Sequence, residues 1–113
     1  MEIKTINLKE NNNSVEQALA IMEIEISVAR KSGIKIIKFI HGYGSHGVGG
    51  LIANAVKTHC KTLKKQKQIK QYFSGGEWDI SNPKCFPYLL EISNLYGDDD
   101  LNHSNPGITI VVL

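Results

Sequence analysis

Apolar and polar positions follow two different periods along the chain, and the changes of period divide it into elements. "EIKTINL" (2–8) mixes β-branched and polar residues and predicts a first strand. Ser14 and Gln17 form a capping-box signature, and apolar residues recur behind it at helical spacing until Gly33, a residue typical of a helix end. "IKIIKFI" (34–40) is almost continuously apolar, which indicates an interior parallel strand buried on both faces.

The second half of the pattern predicts a further helix, a short third strand and a last strand. The helix runs from about Gly49 to Lys65 and the third strand over 68–73. Pro83 follows a capping sequence and predicts the first turn of a short helix, and "ITIVVL" (108–113) predicts the last strand. The order β-α-β-α-β, a short helix and β favours an α/β sandwich with a mostly parallel sheet.

Composition and size are those of one globular domain. The chain has 113 residues, 42% of them hydrophobic and 21% charged. No apolar run approaches the roughly 20 residues that cross a bilayer, and the first residues lack the order of a signal peptide. We therefore expect a cytoplasmic protein with no membrane partner. Cys60 and Cys85 are expected to be free thiols that act as small hydrophobic residues.

The net charge of +2 conceals an uneven distribution. Residues 1–73 hold 12 of the 13 Lys and Arg residues and 5 of the 11 acidic ones, which gives 12 − 5 = +7. Residues 74–113 hold one Lys and six acidic residues, which gives 1 − 6 = −5. A basic first part indicates a polyanionic partner. The consecutive Asp98, Asp99 and Asp100 are expected to form a solvated turn, because three adjacent carboxylates cannot easily face one cation.

The segment "FIHGYGSHGVGGL" (39–51) carries five glycines and two histidines between a buried strand and an amphipathic helix. Open α/β sheets bind ligands at that position, and the amides at a helix N-terminus favour a phosphate. A tight turn alone would need only one or two glycines. The segment satisfies GxGxxG, but the chain is too short for a dinucleotide-binding fold, and Gly50-Leu51-Ile52 does not fit a Walker A loop.

A family resemblance becomes specific on these residues. "FIHGYGSHGVGGLIANAV" resembles the signature segment of the Smr (small MutS-related) domain, whose HGxG motif follows its second strand, and "NPGITIVVL" is similar to the strand that closes such domains. The resemblance implies a two-layer α/β sandwich with a mostly parallel or mixed four-stranded sheet. It implies a single domain over 1–113, in which about 76–103 is an insertion before the last strand. It also implies binding of DNA or RNA and, in several members, cleavage of the bound strand.

The first strand departs from the family pattern. Smr domains usually carry Leu-Asp-Leu-His-Gly there, whereas this chain has Ile6-Asn7-Leu8-Lys9-Glu10. Asn7 cannot act as a base, and Lys9, with an ordinary pKa near 10.4, is a poor proton shuttle at neutral pH. An endonuclease activity therefore stays an open question. Lys9 is still expected beside the glycine loop if the first two strands are parallel neighbours.

These considerations define a candidate site. His41 matches the histidine of the family motif and would be the catalytic proton carrier of a nuclease. The residues expected to bind a phosphate or the nucleic-acid backbone are Gly42, Gly44, Ser45, His46, Lys9, Lys57 and Lys61. Tyr43 and Tyr72 are candidates for stacking on bases.

Two further interpretations remain open. The first is a non-catalytic interaction module that docks on a ribosome or another protein, and the second is an enzyme acting on a small phosphorylated molecule. A nuclease would be compatible with a divalent metal ion, but the sequence assigns no metal ligands. It does not distinguish DNA from RNA, and it does not indicate the oligomeric state.

Overall fold

A computed structural model describes residues 3–43 and 48–113, which form a four-stranded sheet with helices packed on it. The strands are β1 (Ile3–Asn7), β2 (Ile36–Ile40), β3 (Gln71–Ser74) and β4 (Ile108–Val112). The helices are α1 (Val15–Lys31), α2 (Val48–Lys65) and α3 (Phe86–Glu91), with short 3-10 turns at Glu10–Asn12 and Ser93–Gly97. The predicted α/β class and element order are confirmed. In the two described ranges, no helix has the length and apolar character required to cross a bilayer.

The sheet is mixed, and its last strand lies inside it. The strand order is β1-β2-β4-β3, β1 is parallel to β2, and β4 is antiparallel to both β2 and β3. β1, β2 and β3 therefore share one direction, and their carboxyl ends meet the amino end of β4 at one edge of the sheet. All five residues of β4 are buried, because helices or loops cover both of its faces. That edge of the sheet is where the glycine segment begins.

One face of the sheet is covered by α1 and α2. Apolar side chains of both helices pack against Ile37, Phe39 and Val111. The capping box at the start of α1 is confirmed: the Gln17 amide donates to Ser14 Oγ over 3.1 Å, and the Ser14 amide donates to Gln17 Oε1 over 2.8 Å.

The end of α2 shifts the third strand from its predicted position. The amides of Lys67 and Gln68 donate to the carbonyls of Lys64 and Leu63, which is the Schellman arrangement that ends many helices. Lys67 takes the left-handed conformation there, with φ of 61°, where a glycine would be usual. Residues 66–70 form this turn and the bend that follows it, so β3 begins at Gln71 rather than at residue 68.

The opposite face of the sheet is covered by the segment 76–103. Its buried side chains, which include Trp78, Cys85, Leu89, Leu95 and Leu101, pack on β2, β3 and β4. The sheet thus has an apolar core on each face. Cys85 lies in this second core and Cys60 in the first, and both are free thiols, as predicted.

The short helix of this segment begins later than predicted. Pro83 was expected in its first turn, but α3 begins at Phe86 and has Pro87 near its start. The reason is a separate turn centred on Asn82: its carbonyl accepts from the Cys85 amide over 3.0 Å, and its side-chain oxygen accepts from the Lys84 amide over 3.0 Å. An Asx turn therefore uses the residues that resembled a helix cap.

A buried ion-pair cluster joins β2 to this segment. Lys38 is 5% exposed, and its Nζ lies 2.6 Å from Asp98 Oδ1 and 2.7 Å from Asp100 Oδ2. The Trp78 indole N–H donates to Asp98 Oδ2 over 3.0 Å. The prediction of a solvated turn is therefore wrong for Asp98 and Asp100, whereas Asp99 is exposed. The two carboxylates neutralise a lysine that the apolar pattern of β2 places inside the core.

Candidate functional site

The loop that follows β2 is fixed to the loop before β4 by backbone hydrogen bonds. The amides of His41 and Gly42 both donate to the Gly107 carbonyl, over 2.9 Å and 3.1 Å. Gly42 has φ of +67°, so a side chain there would be strained. These two amides are therefore used internally. The predicted phosphate-binding residues Gly44, Ser45 and His46 lie outside the described residues.

The His41 imidazole is buried and bonded through both nitrogens. The residue is 3% exposed, with Nδ1 lying 2.6 Å from the Gly42 carbonyl oxygen and Nε2 lying 2.8 Å from Thr109 Oγ1. A carbonyl oxygen can only accept, so we assign the proton to Nδ1. In the neutral ring, Nε2 then accepts from the Thr109 hydroxyl. The ring thus connects the glycine loop to β4.

The surroundings of His41 favour this neutral form. Burial lowers the pKa of the His41 imidazole below its ordinary value of 6.5, and the bond to the Gly42 carbonyl offsets only part of that effect. A neutral ring whose two nitrogens both have protein partners has no nitrogen free for a substrate. The geometry therefore indicates that His41 positions the glycine loop and does not transfer a proton.

Lys9 lies beside the glycine loop, as the parallel pairing of β1 and β2 led us to expect. A Cβ built on Gly42 would lie 3.6 Å from Lys9 Cδ. Asn7 supports this arrangement, because its Oδ1 accepts from the Lys9 amide over 3.0 Å and so turns the chain as it leaves β1. Asn7 thus has a local structural role, and Lys9 adds a positive charge next to the loop.

A cavity of about 140 Å³ opens above His41, between α2 and the loops at this edge of the sheet. Lys57 from α2 lines it together with His41, Tyr72 and Thr109. The structure therefore brings two of the predicted site residues, His41 and Lys57, to one cavity. Lys61 is exposed on α2 but does not line this cavity.

A second cavity of about 350 Å³ lies beside the first and is lined by all four residues of β3. Both are lined by Lys57, Tyr72, Ser74 and Glu77, so they are adjacent, and we call the two together the β3-edge groove. Its further part adds two lysines, Lys64 and Lys84, and the polar side chains of Gln71 and Asn82. Lys61 does not line this part either.

Several groove residues could not be identified from the sequence. Thr109 is the one polar residue in "ITIVV" (108–112), and that interruption of an apolar strand was the available signal. Glu77 and Lys84 belong to a segment far from the glycine loop along the chain, and only the fold brings them near Lys57. Within 3–43 and 48–113, no three His, Cys, Asp or Glu side chains are grouped so as to hold a metal ion.

Comparison with known proteins supports the fold. No family model matches the sequence, and no curated protein matches it. Among solved structures, the crystal structure of the Smr domain of Thermus thermophilus MutS2 is similar, with a TM-score of 0.58 and 19% sequence identity. The alignment covers 97% of this chain and 96% of that one. The chain therefore has an Smr-like fold, as the sequence resemblance implied.

Proposed function

We propose that this chain binds nucleic acid at the edge of the sheet where β2 and β3 end, and that it does so without cleaving the bound strand through His41. The observation that carries the proposal is the position of Lys57, which lines a cavity over the His41–Thr109 pair at the carboxyl end of β2. Lys9 adds a second positive charge beside Gly42 of that loop. The excess of basic residues in 1–73 and the Smr-like fold support the same interpretation.

The phosphate contacts in this proposal come from cations more than from loop amides. The amides of His41 and Gly42 are bonded to Gly107, so Lys9 and Lys57 are the charged donors that we assign to the phosphate. Gly44, Ser45 and His46 are proposed to complete the phosphate site, and Lys61 to extend the basic face of α2. Binding by lysines of this kind is mainly electrostatic and weakens steeply as salt is added.

The geometry of His41 favours a non-catalytic domain. A nuclease that used His41 would need a nitrogen facing the scissile phosphate, whereas Nδ1 faces the Gly42 carbonyl and Nε2 faces Thr109. Asn7 and Lys9 also lack the acid–base chemistry of the usual family residues at these positions. An interaction module that docks on a ribosome through its RNA would satisfy the same observations.

Labelled RNA, single-stranded DNA and double-stranded DNA test the proposal at two salt concentrations. We expect binding of at least one of them, with an affinity that falls between about 50 and 200 mM salt. Lys57→Gln should weaken binding, and Lys31→Gln, on the exposed end of α1, serves as the control of equal charge. The same samples on denaturing gels should show intact strands.

Two results would contradict the proposal. Absence of binding to all three nucleic acids at low salt would exclude the function itself. Cleavage that disappears in a correctly folded His41→Ala variant would show that His41 does act in catalysis.

A further inference from the structure

The β3-edge groove lies along an edge strand of the sheet and is bordered by lysines. Among the strands that the structure describes, only β4 pairs with β3, and the other edge of β3 is open. Lys57 and Lys64 border the groove from α2, and Lys84 borders it from the segment that follows β3. Lys64 reaches across to β3, where its Nζ donates to Gln71 Oε1 over 3.0 Å. The groove thus contains three lysines and one carboxylate, that of Glu77.

Two backbone amides on the open edge of β3 are already hydrogen-bonded to side chains, which disfavours pairing with another strand. The Tyr72 amide donates to Gln71 Oε1 over 3.1 Å, and the Ser74 amide donates to Glu77 Oε1 over 2.9 Å. Amides of alternate residues point to the same side of a strand, so these two bonds cap the donors of one edge. A peptide that adds as a further strand would have to break both of them. The groove is therefore better suited to a ligand held by side chains.

Tyr72 provides an aromatic surface at the centre of the groove. It lines both cavities, and it is half-buried because it packs against the helix-covered core. A ring held by the core at a cationic surface is the arrangement on which an unpaired base stacks while neighbouring phosphates contact lysines. An unpaired base exposes its face for such stacking, whereas the bases of a duplex are stacked on one another.

We propose that the β3-edge groove binds a single strand of nucleic acid, with phosphates at Lys57, Lys64 and Lys84 and a base on Tyr72. This inference rests on the proposed function and deepens it by naming the form of the nucleic acid. Glu77 opposes the ligand, because its carboxylate stands among the lysines while it caps the Ser74 amide. A substitution that removes the negative charge of Glu77 but keeps its hydrogen bond to the Ser74 amide strengthens binding of the nucleic acid.

Fluorescence anisotropy with a labelled single strand and a labelled hairpin duplex of the same length tests this inference. The single strand is prepared as both RNA and DNA. We expect tighter binding of the single strand than of the duplex. Lys64→Gln and Lys84→Gln should each weaken binding of the single strand several-fold. Each should also lower by about one the slope of the logarithm of affinity against the logarithm of salt concentration. Glu77→Gln keeps an amide oxygen for the Ser74 amide and should raise the affinity.

A matched control separates the groove from the general charge of the protein. Lys31→Gln removes the same charge from an exposed helix position that does not line the groove, and it should change the affinity less than Lys64→Gln does. Thermal unfolding of each variant establishes that it is folded. On addition of the single strand, the NMR signals of Tyr72 and Ser74 should shift more than those of Lys31.

The possible failures are distinguishable. Wild-type protein that binds neither strand nor duplex contradicts the proposed function and this inference together. Binding that persists while Lys64→Gln and Lys84→Gln behave like Lys31→Gln contradicts only the groove. A preference for the duplex, or weaker binding by Glu77→Gln, also overturns the inference and leaves the proposed function standing.

Discussion

Lys38 and Asp98 form an ion pair inside the protein, with 2.6 Å between Nζ and Oδ1, and Asp100 Oδ2 lies 2.7 Å from the same ammonium group. The pair joins the middle of β2 to a loop 60 residues later in the chain. Because Asp98 also accepts from the Trp78 indole, the cluster fixes the covering segment at two points. It therefore determines how the second face of the sheet is closed.

Replacing the buried lysine should destabilise the protein severely. In Lys38→Met, the carboxylates of Asp98 and Asp100 would lose their cation, and the free energy of unfolding should fall by about 3–5 kcal/mol. Urea denaturation measures this change. Lys35→Met is the matched control, because it breaks the exposed Lys35–Glu91 pair and should cost no more than about 1 kcal/mol. Equal effects of the two substitutions would show that the buried ion pair contributes no more to the free energy of unfolding than the exposed one.

The cost of Lys38→Met should depend on pH in a defined direction. Burial alone would raise the pKa of Asp100, but hydrogen bonds from Lys38 and Asn105 hold it below its ordinary value of 3.8. The stability that this carboxylate contributes is therefore present above pH 3.8 and is lost as the pH falls through its lower folded value. Denaturation of both proteins across the acid range should show their stabilities converging. A constant difference would contradict the assignment.

At high pH, the stability that the ion-pair cluster contributes is limited by deprotonation of Lys38. Burial lowers the pKa of Lys38, but its bonds to Asp100 and Asp98 outweigh this effect and hold it above 10.5. The contribution of the ammonium group is therefore fully present below pH 10.5 and is lost as the pH rises through the folded value.

His41 should titrate as a buried, neutral histidine. Its lowered pKa means that its contribution to stability is present above pH 6.5 and is lost as the pH falls through the folded value. Nitrogen NMR of the ring should show a proton on Nδ1 at neutral pH. Thr109→Val should leave Nε2 without its partner and lower the free energy of unfolding by about 1–3 kcal/mol. A ring that titrates at or above pH 6.5, or that carries its proton on Nε2, would contradict the geometry.

Gly75 should tolerate no side chain, although the next residue should. A Cβ built on Gly75 overlaps the carbonyl oxygen of Asn105, whereas one built on Gly76 meets nothing within 4 Å. Gly75→Ala should therefore displace the loop that carries Gly107 and cost about 1–3 kcal/mol. Gly76→Ala should be nearly neutral in the same thermal-unfolding measurement. Similar melting temperatures for the two variants would show that the loop can move without cost.

Local signals in the sequence were sufficient for most elements of the fold. Ser14 and Gln17 predicted the start of α1, and the apolar run before His41 predicted a buried strand, because each depends on residues close together in the chain. The turn at Lys67 was not predictable in this way. It places a lysine where a glycine is usual, and it is favoured by the packing of Ile69 against the helix-covered core, which depends on the fold.

The candidate site was predictable in outline and less so in chemistry. Lys9 lies beside the glycine loop as expected, whereas only the structure shows that Lys57 lines the cavity at this edge of the sheet. The state of His41 depends on Thr109, 68 residues away, and on a strand order that places β4 beside β2. No local pattern reports that neighbour. The partners of Lys38 were missed for the same reason, since they come from a loop on the far side of the sheet.

The position of β4 has a consequence for how the molecule is made. β2 and β3 do not touch each other in the sheet, and the strand that separates them ends at residue 112. A nascent chain that has emerged only as far as β3 can pair β1 with β2, but β3 has no partner and both faces lack their central row of side chains. The sheet can therefore be completed only after these residues have been synthesised, when β4 lies between β2 and β3 and the Thr109 hydroxyl contacts His41.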